Sequence, residues 1–225
     1  MTRKTASGRA REPRPAGMRG DRDQQVTSVH EFVLGDGHDA ADFEAELDRL
    51  VLSHSTRKGL RHQVVLRSLD RPGAYLLLGC WQTSEQLVDA IHADAVCARF
   101  HQLGRLAEVT PGQAVTVGLM AAGLALAEAA HALLIGAVLA GSSAAFEMQF
   151  GELVGTFLHD PGFGGGLLLR STLDPRVYHG LIWWSSAQSC EDAVQGDHFL
   201  RCRRRLQRLT SQLTFEGAQF VREDA

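Results

Sequence analysis

The chain has 225 residues, 44% of them hydrophobic and 22% charged, with a formal charge of -3. That is enough apolar material for one large core or two small ones, and the lack of a basic excess argues against nucleic acid as a partner. The cysteines, Cys80, Cys97, Cys190 and Cys202, form no CxxC pair, so neither a disulfide framework nor a metal site is expected, and reduced thiols in a cytoplasmic setting are the default.

Residues 1–24 are rich in Arg, Gly and Pro and lack an apolar h-region, which reads as a disordered tail and not a signal peptide. An apolar run, Val26–Leu34, predicts a first strand. Phe43, Leu47, Leu50 and Val51 then recur at helical spacing, and the helix is expected to stop before Gly59. Two β-rich runs follow, Gln63–Ser68 and Ala74–Trp81, joined by a turn containing Asp70 and Pro72. A second helical region over 84–106, with a break near Ala93-Asp94, leads to a last strand at Ala114–Leu119.

After an Ala-rich connector at 120–131 the same order returns. Ala132–Leu139 predicts a strand, and Phe146, Phe150, Leu153, Val154 and Phe157 a helix ending before Gly162. Gly166–Ser171 and Val177–Trp184 predict a hairpin. A helical region over 187–209, broken near Gly196-Asp197, precedes a last strand over 212–222. The stretch Ala114–Ala140 is apolar apart from Thr116, Glu128 and His131 and is long enough for a membrane span. A carboxylate near its centre costs about 2.5–3.5 kcal/mol on insertion scales, so strand, connector, strand is the better reading.

A shift of 103 residues superimposes the halves without a gap. Phe43-Glu44 falls on Phe146-Glu147, Leu66-Arg67-Ser68 on Leu169-Arg170-Ser171, Tyr75 on Tyr178, Trp81 on Trp184, and Asp94 on Asp197. The chain therefore divides into a domain at 25–119, a linker at 120–131 and a second domain at 132–225. Each has the order β-α-β-β-α-β of a ferredoxin-like unit. The fold class is α+β, and the apolar sheet faces predict that the two units pack sheet to sheet as an intramolecular dimeric α+β barrel.

With Gly59-Leu60 or Pro161-Gly162-Phe163 before a strand, then Leu-Arg-Ser, a Tyr, and a strand ending in Trp-x-Thr or Trp-x-Ser, each unit resembles the antibiotic biosynthesis monooxygenase (ABM) family. The second unit is the closer match. The resemblance implies substrate held between the helices and sheet of each unit, and an oxygenase that tailors an aromatic polyketide with dioxygen. Tandem members resemble the ring-opening oxygenases of angucycline pathways such as jadomycin and gilvocarcin. On that resemblance reduced flavin and cofactor-free chemistry both stay open, the tandem layout tilting toward flavin. Haem is not expected, because the positions of the haem-degrading members' ligating His and partner Trp hold Phe100 and Ala90 in unit one and Arg203 and Ala193 in unit two. A non-redox polyketide cyclase or isomerase and a non-catalytic binding module are the alternatives.

Oxygenating an aromatic without a metal requires a deprotonated, electron-rich ring, hence a base and an oxyanion partner. Among the unpaired histidines, His62, His92 and His179 lie in or beside pocket-lining elements and are the candidate bases; His30, His54, His159 and His198 read as structural. Arg67 and Arg170 are candidate oxyanion partners or members of an ion pair. Trp81, Trp184 and Trp183, with Tyr75 and Tyr178, are candidate substrate contacts or large core residues. The run Gly162–Gly166 enters a strand and is no dinucleotide fingerprint. Arg201, Arg203, Arg204, Arg205 and Arg208 read as a solvated face with some attraction for anions. The expected partner is a polycyclic aromatic small molecule, with no membrane and no nucleic acid, and pairing of two chains into a homodimer stays open.

Overall fold

The computed structural model describes residues 25–221; the tail expected over 1–24 lies outside the described residues. In chain order the elements of unit one are β1 (Val26–Leu34), α1 (Ala40–Ser55), β2 (Leu60–Ser68), β3 (Ala74–Trp81), α2 (Ser84–Ile91), α3 (Asp94–Leu106) and β4 (Ala107–Ala121). Those of unit two are β5 (His131–Leu139), α4 (Ser143–Gly155), β6 (Phe163–Ser171), β7 (Val177–Trp184), α5 (Ala187–Gln195), α6 (Asp197–Gln207) and β8 (Thr210–Val221). Both second helical regions are broken where expected. The 103-residue repeat extends to the helix starts: Asp39 and Ser142 cap α1 and α4, and Thr83 and Ser186 cap α2 and α5, each side chain accepting a first-turn amide.

Each unit forms a four-stranded antiparallel sheet, and the two join into one closed barrel in the order β1-β3-β2-β8-β5-β7-β6-β4. Closure comes from the long last strands. The first half of β4 pairs with β1, while Ala114–Ala121 crosses over and pairs with β6; β8 pairs with β5 and, at its end, with Val65–Ser68 of β2. The expected face-to-face packing is therefore also edge-to-edge pairing, which removes the open strand edges each half would otherwise present.

The barrel interior is filled by Val29, Leu66, Leu76, Leu78, Leu169, Leu181 and Trp183. Alternate residues point outward and are covered by the helices: Phe32, Tyr75 and Leu77 under α1 and α3, and Ile135, Tyr178, Ile182 and Trp184 under α4, α5 and α6. The apolar stretch over 114–140 is strand, a short 3-10 turn at Leu126–Glu128, and strand. Among the described residues no helix is long and apolar enough to cross a membrane.

Glycine shapes two places. Gly59 and Gly162 follow the first helices at φ +94° and +76°, a conformation that suits a residue without a Cβ. Gly164 and Gly165 lie against the Trp183 ring, 2.4 Å from where a Cβ would stand. The glycine run thus makes room for an indole of the chain itself, whose Nε1 donates to the Leu124 carbonyl at 3.1 Å.

Candidate active site

Unit two contains a cleft of about 450 Å³ between α5, α6 and the β5–β8 edge. Helix α6 buries Phe199, Cys202 and Leu206 at helical spacing, which leaves Arg203 on the rim of that apolar stripe. Its guanidinium carbon lies 5.2 Å from the centroid of the Phe215 ring, and Phe215 meets Phe199 edge to face at 5.4 Å. His131 and Leu133 of β5 and Cys190 of α5 complete this side. Burial, and then the Glu191 carboxylate, push the Cys190 thiol up to about 11, so it is a neutral wall and not a nucleophile.

The opposite wall comes from unit one. Leu69 and Asp70, in the β2–β3 turn, line the same cleft. The turn is docked by Leu69 N–H donating to Gly217 O at 2.8 Å and Gly217 N–H donating to Asp70 Oδ2 at 2.6 Å. The cleft is thus built by both units. The pseudo-equivalent place on unit one is a wider groove of about 610 Å³ whose lining is polar, including Ser84, Gln113, Arg170 and Thr172, with no aromatic wall.

Between helices and sheet the two units differ sharply. The shift of 103 sets Phe100 against Arg203, His30 against Leu133, Ser28 against His131 and His54 against Phe157. In unit one Phe100 packs over His30, ring centroids 4.8 Å apart, and His54 meets Trp81 edge to face at 5.7 Å. His30 and His54 are 6% and 1% exposed. Each is pushed down to about 4, His30 by burial and then by His54, His54 by burial and then by Arg57, with nearby Gln63 opposing. Both are therefore neutral at pH 7. Trp81 Nε1 donates to Ser28 Oγ at 3.3 Å, whereas Trp184 packs against Phe157 and Phe163 at 5.3 and 6.0 Å.

The residues singled out from sequence scatter over several places. Tyr75 and Arg67 both donate to Glu44 of α1, at 2.7 and 3.1 Å; Tyr178 donates to Glu147 of α4 at 2.7 Å, with Arg170 at 3.7 Å. The ion pair weighed for the arginines is present in both units, made with the first helix and not across the sheet. Burial and the Glu44 carboxylate push Tyr75 up to about 12, and Tyr178 is raised for the same reasons. His62 and His92 are exposed, the latter ending α2. His179 points into the barrel, its Nδ1 3.9 Å from Glu31, beside a cavity of only about 70 Å³; burial lowers its pKa against the pull of Glu31. Trp81, Trp183 and Trp184 are buried.

Of the cleft residues, His131 stood in the sequence as an interruption of an apolar run and Arg203 as one of a basic cluster, while Phe199 and Phe215 were not singled out. A signal was present in the repeat: each differs in kind from its partner 103 positions earlier, Ser28, Phe100, Val96 and Gly112.

Residues 137–205, within unit two, match the family model "Antibiotic biosynthesis monooxygenase". The match lies within unit two, whose element order unit one repeats. A protein assigned as a monooxygenase from Fusobacterium nucleatum superimposes with a TM-score of 0.71 at 7% identity, over 88% of this chain and 93% of that one. An anthrone oxidase-like protein does so with a TM-score of 0.69 at 12% identity, over 89% and 92%. SnoaB of Streptomyces nogalater, described as a cofactor-independent oxygenase, aligns over 40% of this chain and 90% of its own at 20% identity and a TM-score of 0.38. No curated protein matches the chain in sequence. The SnoaB description overturns the tilt toward reduced flavin. Of the arginines read as a solvated face with some attraction for anions, three are engaged: Arg205 with Glu152, Arg201 with His198 at 2.9 Å, and Arg203 over Phe215.

Proposed function

We propose that the chain is an oxygenase of a phenol-bearing polycyclic aromatic, of the anthrone kind, and that it works in the unit-two cleft. The observation that carries this reading is the cleft itself: two aromatic rings, an imidazole and a guanidinium line a space of about 450 Å³, within the range of small-molecule sites. Phe199 and Phe215 offer apolar walls to a flat ring. His131 accepts a phenolic or benzylic proton, and Arg203 holds the resulting anion, whose charge a cation stabilises far more in a partly dry cleft than in water. The carbanion-like ring passes electrons to dioxygen: the methylene loses both hydrogens, one oxygen atom becomes the new carbonyl, and the other leaves as water.

Support comes from the ABM match over this unit and from the anthrone oxidase-like neighbour, which shares the fold. The angucycline resemblance would place the substrate among aromatic polyketides. The direct test is oxygen uptake by the purified chain with 1,8-dihydroxyanthrone: consumption of one dioxygen per anthrone with quinone formation is expected. Binding without uptake would instead favour a binding module, and rearrangement without uptake an isomerase.

A further inference from the structure

Two hairpin turns stand at equivalent places in the duplicate, and they are held differently. In unit two the β6–β7 turn closes on itself: Ser171 Oγ accepts from the Leu173 and Asp174 amides at 3.2 and 3.3 Å, and the Asp174 carboxylate accepts two bonds from the Arg176 guanidinium. It reaches unit one through Thr172, whose amide and hydroxyl both donate to Gln113 O, and the neighbouring Leu173 is 79% exposed. The shift of 103 sets Arg71 against Asp174 and Glu216 against Gln113, and these two changes give the β2–β3 turn of unit one a grip on unit two. Arg71 Nε donates to Glu216 Oε2 at 2.8 Å, Ser68 Oγ donates to the same oxygen at 3.3 Å, and the Arg71 amide donates to Ser68 Oγ at 3.0 Å.

This latch lies behind the cleft wall. Successive residues of a strand point to opposite faces, so Thr214 and Glu216 of β8 line the small chamber inside the barrel while Phe215 and Gly217 line the cleft. The turn divides in the same way: Ser68 and Arg71 line the chamber, and Leu69 and Asp70 the cleft. Leu69 lies over Gly217, where an added Cβ would stand 3.7 Å from Leu69 Cδ1, and half of its surface is uncovered. Apolar side chains that line a cleft decide by their reach which ligands fit.

We propose that the β2–β3 turn of unit one is the specificity element of the unit-two cleft: Leu69 sets the length of the ring system admitted, and Arg71 and Glu216 are positioning residues that hold Leu69 in place. The two halves of the duplicate then share one site, unit two supplying the reacting groups and unit one the gauge.

The inference rests on the unit-two cleft as the site of reaction, and the experiment keeps the two apart. Oxygen uptake by the full chain is measured at steady state with 1,8-dihydroxyanthrone and with a dihydroxytetracenone, its four-ring homologue, and thermal melting checks each variant's folding. Leu69→Ala should raise kcat/KM for the four-ring compound relative to the three-ring one by about tenfold, the effect that small changes in apolar bulk have in a pocket. Arg71→Ala should shift the ratio in the same direction by less, through KM and not kcat, and Arg71→Lys, which keeps a cation at Glu216, should restore it. Leu173→Ala, in the matching turn, should leave the ratio unchanged. A merely structural defect would lower both substrates together. An unchanged ratio in the folded Leu69→Ala variant overturns the specificity element, and a shift in Leu69→Ala without one in Arg71→Ala overturns the latch. If the wild type oxygenates neither compound, the oxygenase reading fails, and the ratio of dissociation constants from anaerobic calorimetry should still show the same shifts. Absence of binding by either compound overturns both readings.

Discussion

Arg203 owes its place to a single step along the helix: its neighbour Cys202 is buried, and a rotation of about 100° carries the guanidinium to the lip of the cleft. If it holds a developing anion, Arg203→Ala lowers kcat/KM about 100-fold, by the precedent of removed oxyanion donors. Arg203→Lys should recover only part of this, since a point charge replaces a planar fork. Steady-state kinetics with an anthrone check both. The His30–His54 pair has a thermodynamic consequence. Their folded values, about 4, lie below the 6.5 of the unfolded chain, so between these limits the unfolded state binds more protons. Stability is therefore full above pH 6.5 and falls as pH drops toward 4, by several kcal/mol in all, since each unit of pKa shift is worth about 1.4 kcal/mol. Urea unfolding at pH 7 and pH 5 should show the loss, and the His30→Leu/His54→Phe variant should show less of it. Tyr75→Phe and Tyr178→Phe each remove one hydrogen bond to a helix carboxylate and should cost about 1 kcal/mol while leaving oxygen uptake intact.

At the scale of elements, the helices and hairpins follow from local chemistry. Capping side chains open α1, α2, α4 and α5, and a left-handed glycine stands four residues after α1 and seven after α4. Gly162→Ala should destabilise the fold by about 1–3 kcal/mol, since φ is +76° and the added methyl would stand 2.4 Å from Ser185 Oγ; thermal melting measures it. These features were legible in the sequence, as were β1, β3 and β7 to the residue. The extent of β4 was not. Its first half carries Glu108, Thr110, Pro111 and Gly112, which read as loop, and becomes strand because β1 pairs along it from Ala107 to Ala114. The candidate site was legible only as a class. Periodicity shows which face a residue takes, and by it Tyr75 and Trp81 share one, but it does not show that Glu44 waits opposite Tyr75, nor that the β2–β3 turn of the other unit reaches the cleft. Those contacts are tertiary, separated by 31 and more than 100 residues. The substitutions between repeats, His54 for Phe157 or Arg203 for Phe100, pointed to them better than any single residue type did.

For the molecule as a whole, duplication in one chain closes the barrel and lets the halves diverge. Each half lends a long strand to the other's edge, and unit one lends Leu69 and Asp70 to the cleft of unit two. Expressed alone, residues 131–225 would expose the edges of β6 and β8, and sedimentation should find them as a self-associated dimer and not a monomer. Divergence then left one half with an open, cationic cleft and the other with Phe100 over a pair of neutral imidazoles. The central claim is that catalysis belongs to the open cleft, and Arg203→Phe tests it most directly by placing the ring of unit one in unit two. In an oxygen electrode with 1,8-dihydroxyanthrone, the wild type should consume one dioxygen per anthrone and the folded variant almost none. Undiminished uptake by the variant would contradict the account.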